Sequence, residues 1–373
     1  MDKRVLDAML PYFTEHFGNP ASITHVYGWE AEAAVKRSRE ILAAAINCAP
    51  EEIIFTSGAT EANNLAIKGV AEAYFSKGQH IITLQTEHNA VLDPCHYLEN
   101  LGFEVTFLPV REDGLIDLEA LEKAIRPDTI LVSIMAANNE IGVLQPLAKI
   151  GEICRQHEIL FHSDAAQAIG KIPLDVQQTN IDLMSLTAHK IYGPKGIGAL
   201  YVRRRNPRVK IAAQIHGGGH ERGMRSGTLY TPQIVGFAKA VELGLAELAS
   251  ESQRLQQLRE QLWQQLSQVE GIHLNGHPTQ RLPGNLNISV EGVDGSALLI
   301  ALQPVVALSS GSACSSTSTA PSHVLTALGR SESLAYASLR FGIGRFTTTQ
   351  EIDIVAQHAI ATIQSLRKAT ARV

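Results

Sequence analysis

Lys190 closes the run Ser185-Leu186-Thr187-Ala188-His189-Lys190, and Gly193-Pro194 follows it. A lysine at the end of an apolar strand points at a fixed place. An amine that condenses with a bound aldehyde needs that placement. A lone lysine there is far more often simply solvated, so its companions decide. Asp164 ends a second apolar run, Phe161-His162-Ser163-Asp164, with Gln167 just beyond it. Such a carboxylate can pair with a protonated ring nitrogen and sharpen its electron demand, or it can merely cap a turn. The interval between Asp164 and Lys190 is long enough for one crossover helix joining neighbouring parallel strands, which would bring both side chains to one pocket.

Other segments carry polar groups at similar places. Thr56-Ser57-Gly58-Ala59-Thr60-Glu61 opens a helical pattern over 62–68. Small residues at a helix start expose unpaired N–H groups, and the helix dipole favours an anion there. It is no P-loop, because the GxxxxGK[ST] spacing is absent. Glu87-His88-Asn89 follows a strand candidate, where His88 could lie on a ring and move protons. Asn138-Asn139 follows another, and two amides there suit a carboxylate or a turn equally. The loop 216–228 interleaves glycines with His216, His220, Arg222, Arg225 and Thr228, a composition suited to anions. Its HGGG start is not accompanied by a GxSxG elbow, which argues against a hydrolase. Arg340 sits among apolar residues and needs an anionic partner if buried, a substrate carboxylate or a structural ion pair. Cys314 lies in Ser309-Ser310-Gly311-Ser312-Ala313-Cys314-Ser315. A free cysteine is usually a buried hydrophobe. These neighbours supply little apolar cover, so an exposed, mobile thiol is expected, able to serve both a substrate and an outside acceptor.

The elements that must position these groups show in the hydrophobic pattern. Strand-like runs occupy 80–84, 103–109, 130–135, 159–163, 181–186 and 197–202, with helical periods at 118–125 and 147–157 between them. Strand–helix alternation predicts an α/β fold with a mainly parallel sheet. Further on, 233–249 reads as a small-residue helix. A second helix carries Leu255, Leu258, Leu262, Leu266 and Val269 on one face. Short strands are expected at 286–290 and 338–341, and a last helix starts near 347–349. The expected division is a large domain over 14–249 and a smaller α+β domain formed by 1–13 and 250–373.

Composition narrows the classes. With 45% hydrophobic residues in 373 the chain can build a large core. A net charge of −5 and no long basic run argue against direct nucleic-acid binding. The densest basic cluster, Arg203-Arg204-Arg205, reads as a solvated strand end. The four cysteines form no CxxC pair, so no metal or redox pair is expected. No apolar run could span a bilayer and no secretory leader is visible, so the expected setting is the cytoplasm, away from membranes.

Taken together, these strings resemble the cysteine desulfurases of the NifS/IscS type, class-V aminotransferases that use pyridoxal 5'-phosphate (PLP). The likeness runs from Phe17-Gly18-Asn19-Pro20-Ala21-Ser22 to Gly344-Arg345-Phe346-Thr347-Thr348, and is most specific at 189–201, 216–229 and 309–315. It implies fold type I of the PLP-dependent transferases, like aspartate aminotransferase, with a seven-stranded sheet. It implies that Lys190 carries PLP, Asp164 pairs with the ring nitrogen, Gln167 meets the ring oxygen and His88 stacks on the ring. Ala59, Thr60, Thr187 and His189 would hold the phosphate, and Thr228 would reach the phosphate of the neighbouring subunit in a homodimer. Asn139 and Arg340 would hold the substrate carboxylate. Cys314 would take sulfur from L-cysteine as a persulfide, leaving alanine. The acceptor would be an iron–sulfur scaffold protein, with tRNA thiolation or cofactor synthesis as other outlets. The rival readings are another PLP enzyme on this fold (selenocysteine lyase, cysteine lyase or aminotransferase) and a sulfur carrier with impaired catalysis. Thr187-Ala188 replaces the family's usual Ser followed by Gly or His. The family's first strand, with its D-x-x-A/S-T-T-P-like segment, would precede Met1, and its housekeeping members extend beyond the point matching Val373.

Overall fold

The computed structural model describes residues 1–309 and 321–370. Short aliphatic runs form seven strands: β1 (Ile53–Thr56), β2 (His80–Leu84), β3 (Glu104–Leu108), β4 (Thr129–Ser133), β5 (Leu160–Asp164), β6 (Leu183–Thr187) and β7 (Gly198–Val202). They make one sheet in the order β1-β7-β6-β5-β4-β2-β3. Strands β2 to β6 pair in parallel, whereas β7 runs antiparallel to both β1 and β6. Apart from edge strand β3, every residue of these strands is buried. That is the signature of a sheet covered on both faces. The covering helices are α1 (Lys3–Met9), α2 (Pro11–Thr14), α3 (Val26–Ala45), α4 (Ala59–Ala73), α5 (Asn89–Glu99), α6 (Leu118–Ala124), α7 (Leu147–Gln156) and α8 (Thr231–Ala246). Helix α4 packs on β1, β4, β5, β6 and β7. Its buried Ala62, Leu65, Ala66 and Val70 join Ile54, Ile81, Leu131, Leu183 and Leu200 in one core.

The chain divides into two units. The first holds Met1–Leu108, Leu118–Ala137 and Pro146–Leu248; the second holds Pro109–Asp117, Asn138–Gln145 and Ala249–Val373. The second is built from β8 (Ile272–Leu274), β9 (Asn285–Val290) and β10 (Ser338–Gly342), an antiparallel sheet in the order β10-β9-β8. Helices α9 (Leu248–Leu266), α10 (Gly295–Leu302), α11 (His323–Ala327), α12 (Glu332–Tyr336) and α13 (Thr349–Thr370) complete it. The leucine stripe of α9 faces inward: Leu258, Leu262 and Leu266 pack with Ile288, Leu339, Ala356 and Ile363. Thr348 and Glu351 form a reciprocal cap at the start of α13.

Several expectations change. Residues 1–13 belong with the first unit, because α1 packs along α8 and Asp2 N donates to Tyr192 O at 2.9 Å. Stretches 109–117 and 138–145, expected in the large domain, fall in the second unit. There Val143 bridges to Arg281, and Ile141 and Val143 pack on Val324 and Leu325. Strands β5 and β6 are parallel neighbours as expected, but turns rather than a helix connect them. Gly170 and Pro173 interrupt that segment, which discourages a helix. Arg203, expected to be solvated, is buried and pairs with Asp182 at 3.0 Å.

Candidate active site

Parallel pairing sets Asp164 opposite Ser185, so β5 and β6 finish side by side. Ligands of open α/β sheets gather beyond such carboxyl ends. Asp164 is only 6% exposed. Its Oδ1 accepts the Ala166 N–H at 2.8 Å, and its Oδ2 accepts the Asn63 amide at 2.7 Å. Burial pushes this carboxyl up; the two hydrogen bonds and then the charges of His88 and Lys190 work against that rise. Asp164, His88 and Lys190 therefore share one electrostatic neighbourhood. Lys190 itself stands exposed in the turn after β6. His88 caps α5, its Nδ1 accepting the Ala90 N–H at 3.0 Å. In that geometry a neutral His88 carries its proton on Nε2. Behind Asp164, the His162 ring links the Ser133 hydroxyl (2.8 Å) to the Ser185 hydroxyl (3.0 Å), tying β4, β5 and β6 together. Burial pushes His162 down to about 3, so this link is neutral.

The helix start beside these groups is open. Gly58, the N-cap of α4, has φ 155° and ψ −178°, and no side chain caps the helix. That backbone conformation is essentially reserved for glycine. The first-turn N–H groups of α4, from half-buried Ala59 and exposed Thr60, are thereby available to an anion. Within 4 Å, a Cβ on Gly58 would meet only Thr187 Oγ1, at 4.0 Å. Gly198 permits this close approach of β7, because a Cβ there would lie 2.7 Å from the Gly58 backbone. Thr187 Oγ1 meets His189 Nδ1 at 3.0 Å. Partial burial and then the charges of Lys190, Lys195 and Lys171 lower the His189 pKa. The charges of three lysines thus reach His189, whose ring meets Thr187 close to the helix N-terminus. Asn63 follows Ala59 along α4 by about 6 Å of helix axis. One helix therefore presents an anion cradle at its tip and a partner of the buried carboxylate one turn in. Those two features fit PLP, which carries a phosphate and a protonated ring nitrogen.

Of the remaining expected residues, Gln167 accepts Lys171 Nζ at 3.1 Å. Thr228 is exposed on the loop after Gly227. Asn139 and Arg340 lie in the second unit. There Arg340 Nη1 donates to Asn139 O at 2.8 Å and Nη2 to Ser309 Oγ at 3.2 Å. Among the described residues Arg340 has no hydrogen bond to a carboxylate, and Asn139 Oδ1 is buried without a partner. A guanidinium bonded only to neutral acceptors can take up an incoming carboxylate. Next to Asn139, burial pushes the Glu140 carboxyl up to about 7, against a 2.5 Å hydrogen bond from Ser322 and the charge of Arg340. Cys314 lies outside the described residues. Asn63, His162 and Glu140 escape a reading of local motifs. The only signal for Asn63 is a polar residue inside the apolar stripe of α4.

The class-V aminotransferase family matches residues 1–355. A cysteine desulfurase of Mus musculus is 56% identical over 99% of this chain and 80% of its own length. The cysteine desulfurase IscS of Dechloromonas aromatica is 56% identical over 95% of this chain and 87% of its own. The chain belongs to the cysteine desulfurases, within the class-V aminotransferase family. Among solved structures, a NifS-like protein superposes with a TM-score of 0.91 at 38% identity, covering 98% of this chain and 97% of the other. SspA, solved in complex with cysteine, gives 0.83 at 40% identity over 93% and 97%. This desulfurase is accordingly a PLP-dependent enzyme of fold type I. No helix among the described residues is long and apolar enough to cross a membrane. No group of three or more His, Cys, Asp or Glu among them could hold a metal ion.

Proposed function

We propose that this desulfurase converts L-cysteine to L-alanine with Lys190 and Cys314 as its two working residues, and passes the sulfur from Cys314 to an acceptor protein. Asp164 carries the reading: a buried carboxylate held by two neutral donors, with Lys190 and His88 close enough to influence its charge. Such a group calls for a cation, and a ring N–H⁺ supplies one. Lys190 would hold PLP covalently, Ala59, Thr60, Thr187 and His189 its phosphate, and Gln167 its ring oxygen. When bound, PLP draws electrons from the substrate's Cα and makes both its C–H and the neighbouring C–S bond easier to break.

The chain's own residues do the rest. Asn139 and Arg340 bind the substrate carboxylate, Arg340 exchanging neutral acceptors for a charged one. Lys190, displaced by the substrate amine, takes the Cα proton. The Cys314 thiolate attacks the substrate sulfur. An S–S bond forms, the C–S bond breaks, and its electron pair leaves toward carbon. Protons delivered by Lys190 or by His88 Nε2 complete the methyl group of alanine. The persulfide on Cys314 is then ready for a second thiol or a scaffold.

The enzyme works as a homodimer, with Thr228 reaching the neighbouring subunit's phosphate. Tyr230, two residues on, is 51% exposed and packs edge-on against Phe13, itself 45% exposed, with ring centroids 6.2 Å apart. That apolar face suits a second copy. Iron–sulfur cluster assembly in the cytoplasm is the proposed destination of the sulfur. The test is one assay of purified protein with L-cysteine, following PLP absorbance, alanine and protein persulfide. Alanine and a persulfide on Cys314, both lost in Cys314→Ala, are expected. Pyruvate with ammonia, or turnover unchanged in Cys314→Ala, would overturn the assignment. No chromophore even after PLP is supplied would favour a sulfur carrier.

A further inference from the structure

Among the described residues, strand β1 lies at the edge of its sheet, pairing with β7 on one side and with no strand on the other. Side chains close that edge. Glu221, buried, accepts the Phe55 N–H at 2.7 Å. The same carboxylate takes both terminal nitrogens of Arg39, at 2.8 and 2.7 Å. Arg39 also donates to Ile53 O and lies over the Phe55 ring, 4.6 Å from its centre. Glu221 and Arg222 hold φ values of 48° and 58°. Residues with side chains adopt that conformation only against strain, and persist there when their surroundings enforce it. Here the enforcing contact is the Glu221 carboxylate.

The same loop also grips the segment after β1. Arg225 donates to Glu61 from Nε at 2.8 Å and from Nη2 at 3.3 Å. Glu61 Oε2 in turn accepts the Ser57 N–H at 2.7 Å. Burial works against charge on Glu61, yet Arg225 and Ser57 keep its carboxyl below the usual range. One short loop therefore holds β1 just before residues 57–60 and helix α4 just after them. Residues 57–60 include the open helix N-terminus.

We propose that Arg39–Glu221 and Arg225–Glu61 are positioning pairs that set the phosphate cradle and tie it to the loop bearing Thr228. Neither pair touches the reacting atoms; both act through the backbone of 57–60. The proposal rests on the PLP reading of this site. It also means that one loop serves two phosphates, its own subunit's through Glu61 and its neighbour's through Thr228.

The experiment titrates apo-protein with PLP and, separately, with pyridoxal, the same aldehyde without phosphate, following absorbance. Glu61→Gln and Arg225→Lys should each weaken PLP by about tenfold, the scale of a coupled ion pair, and leave pyridoxal within about twofold. Arg39→Lys, which keeps one charge, should give a smaller loss of the same kind. Thermal melting confirms that each variant folds, and Arg225→Lys decides the matter if Glu61→Gln does not. Equal losses for the two aldehydes would reduce the pairs to general scaffolding and overturn the proposal, as would no loss for either. Wild type that takes up neither aldehyde would instead refute the PLP reading.

Discussion

The two units hold their functional charges in opposite ways. In the first, Asp164 is locked by a backbone N–H and an amide from α4, and its strand is tied through His162 to the strands on both sides. In the second, Arg340 rests on a carbonyl and a hydroxyl. A guanidinium resting on neutral acceptors can exchange them for an incoming carboxylate, whereas both oxygens of the buried Asp164 are already engaged. On the proposed assignment, with Asp164 serving the cofactor and Arg340 the substrate, the difference matches the lifetimes of those two groups. A resident cofactor rewards partners that never move, whereas a substrate that comes and goes needs partners that give way.

The comparison can be broken in order of expected effect. Lys190→Ala should lower alanine formation by about a thousandfold or more, since in the proposed mechanism it removes both the anchor and the proton carrier. Steady-state turnover, with loss of the lysine-bound absorbance, checks this. Asp164→Asn keeps the shape and removes the anion. It should cost on the order of a hundredfold in kcat with a smaller change in KM. If KM alone rose, Asp164 would be a binding rather than an electronic group. Arg340→Ala should act mainly on KM for cysteine, by about tenfold to a hundredfold, the scale of a charged hydrogen-bonded pair. A kcat defect with unchanged KM would show that Arg340 is as locked as Asp164 and would erase the contrast.

The remaining effects are in stability rather than turnover, and they carry opposite signs. His162 titrates near 3 when folded and near 6.5 when free. The unfolded chain therefore binds its proton first, and stability is lost as pH falls below about 6.5. Glu140 titrates near 7 when folded against 4.5 when free. Here the folded chain holds the proton longer, so stability is lost as pH rises from about 4.5 to about 7, by about 3 kcal/mol at most. Hydrogen exchange followed through each unit should show the first weakening in acid and the second toward neutral pH. His162→Gln and Glu140→Gln should flatten the respective slopes. Slopes that persist in those variants would locate the titration elsewhere.

Much of the fold is legible in the chain. Strand β2 spans the expected 80–84, and β5, β6 and β7 fall within about two residues of their expected positions, because strands buried on both faces are short apolar runs. Strand β1 and strand β8 are not flagged by pattern, since four and three residues are too few for a period to show. The connection between β5 and β6 has the length of a crossover helix but not its composition. Residues 1–13 have helical residues in plenty, yet nothing in their periodicity says which unit they will join.

Within the site the same line divides local from distant. Lys190, Asp164, His88 and the start of α4 stand out because each lies at the end or start of a short element and several such strings occur together. Sequence alone therefore determined the α/β class and most of the elements, and it supplied the candidate reactive groups. Tertiary structure decided which groups meet. Asn63 finds Asp164 across 101 positions, Arg225 finds Glu61 across 164, and Glu221 finds Arg39 across 182. No local pattern names such partners, because an ion pair is chosen by the packing of whole helices on a sheet, which is a property of the folded core.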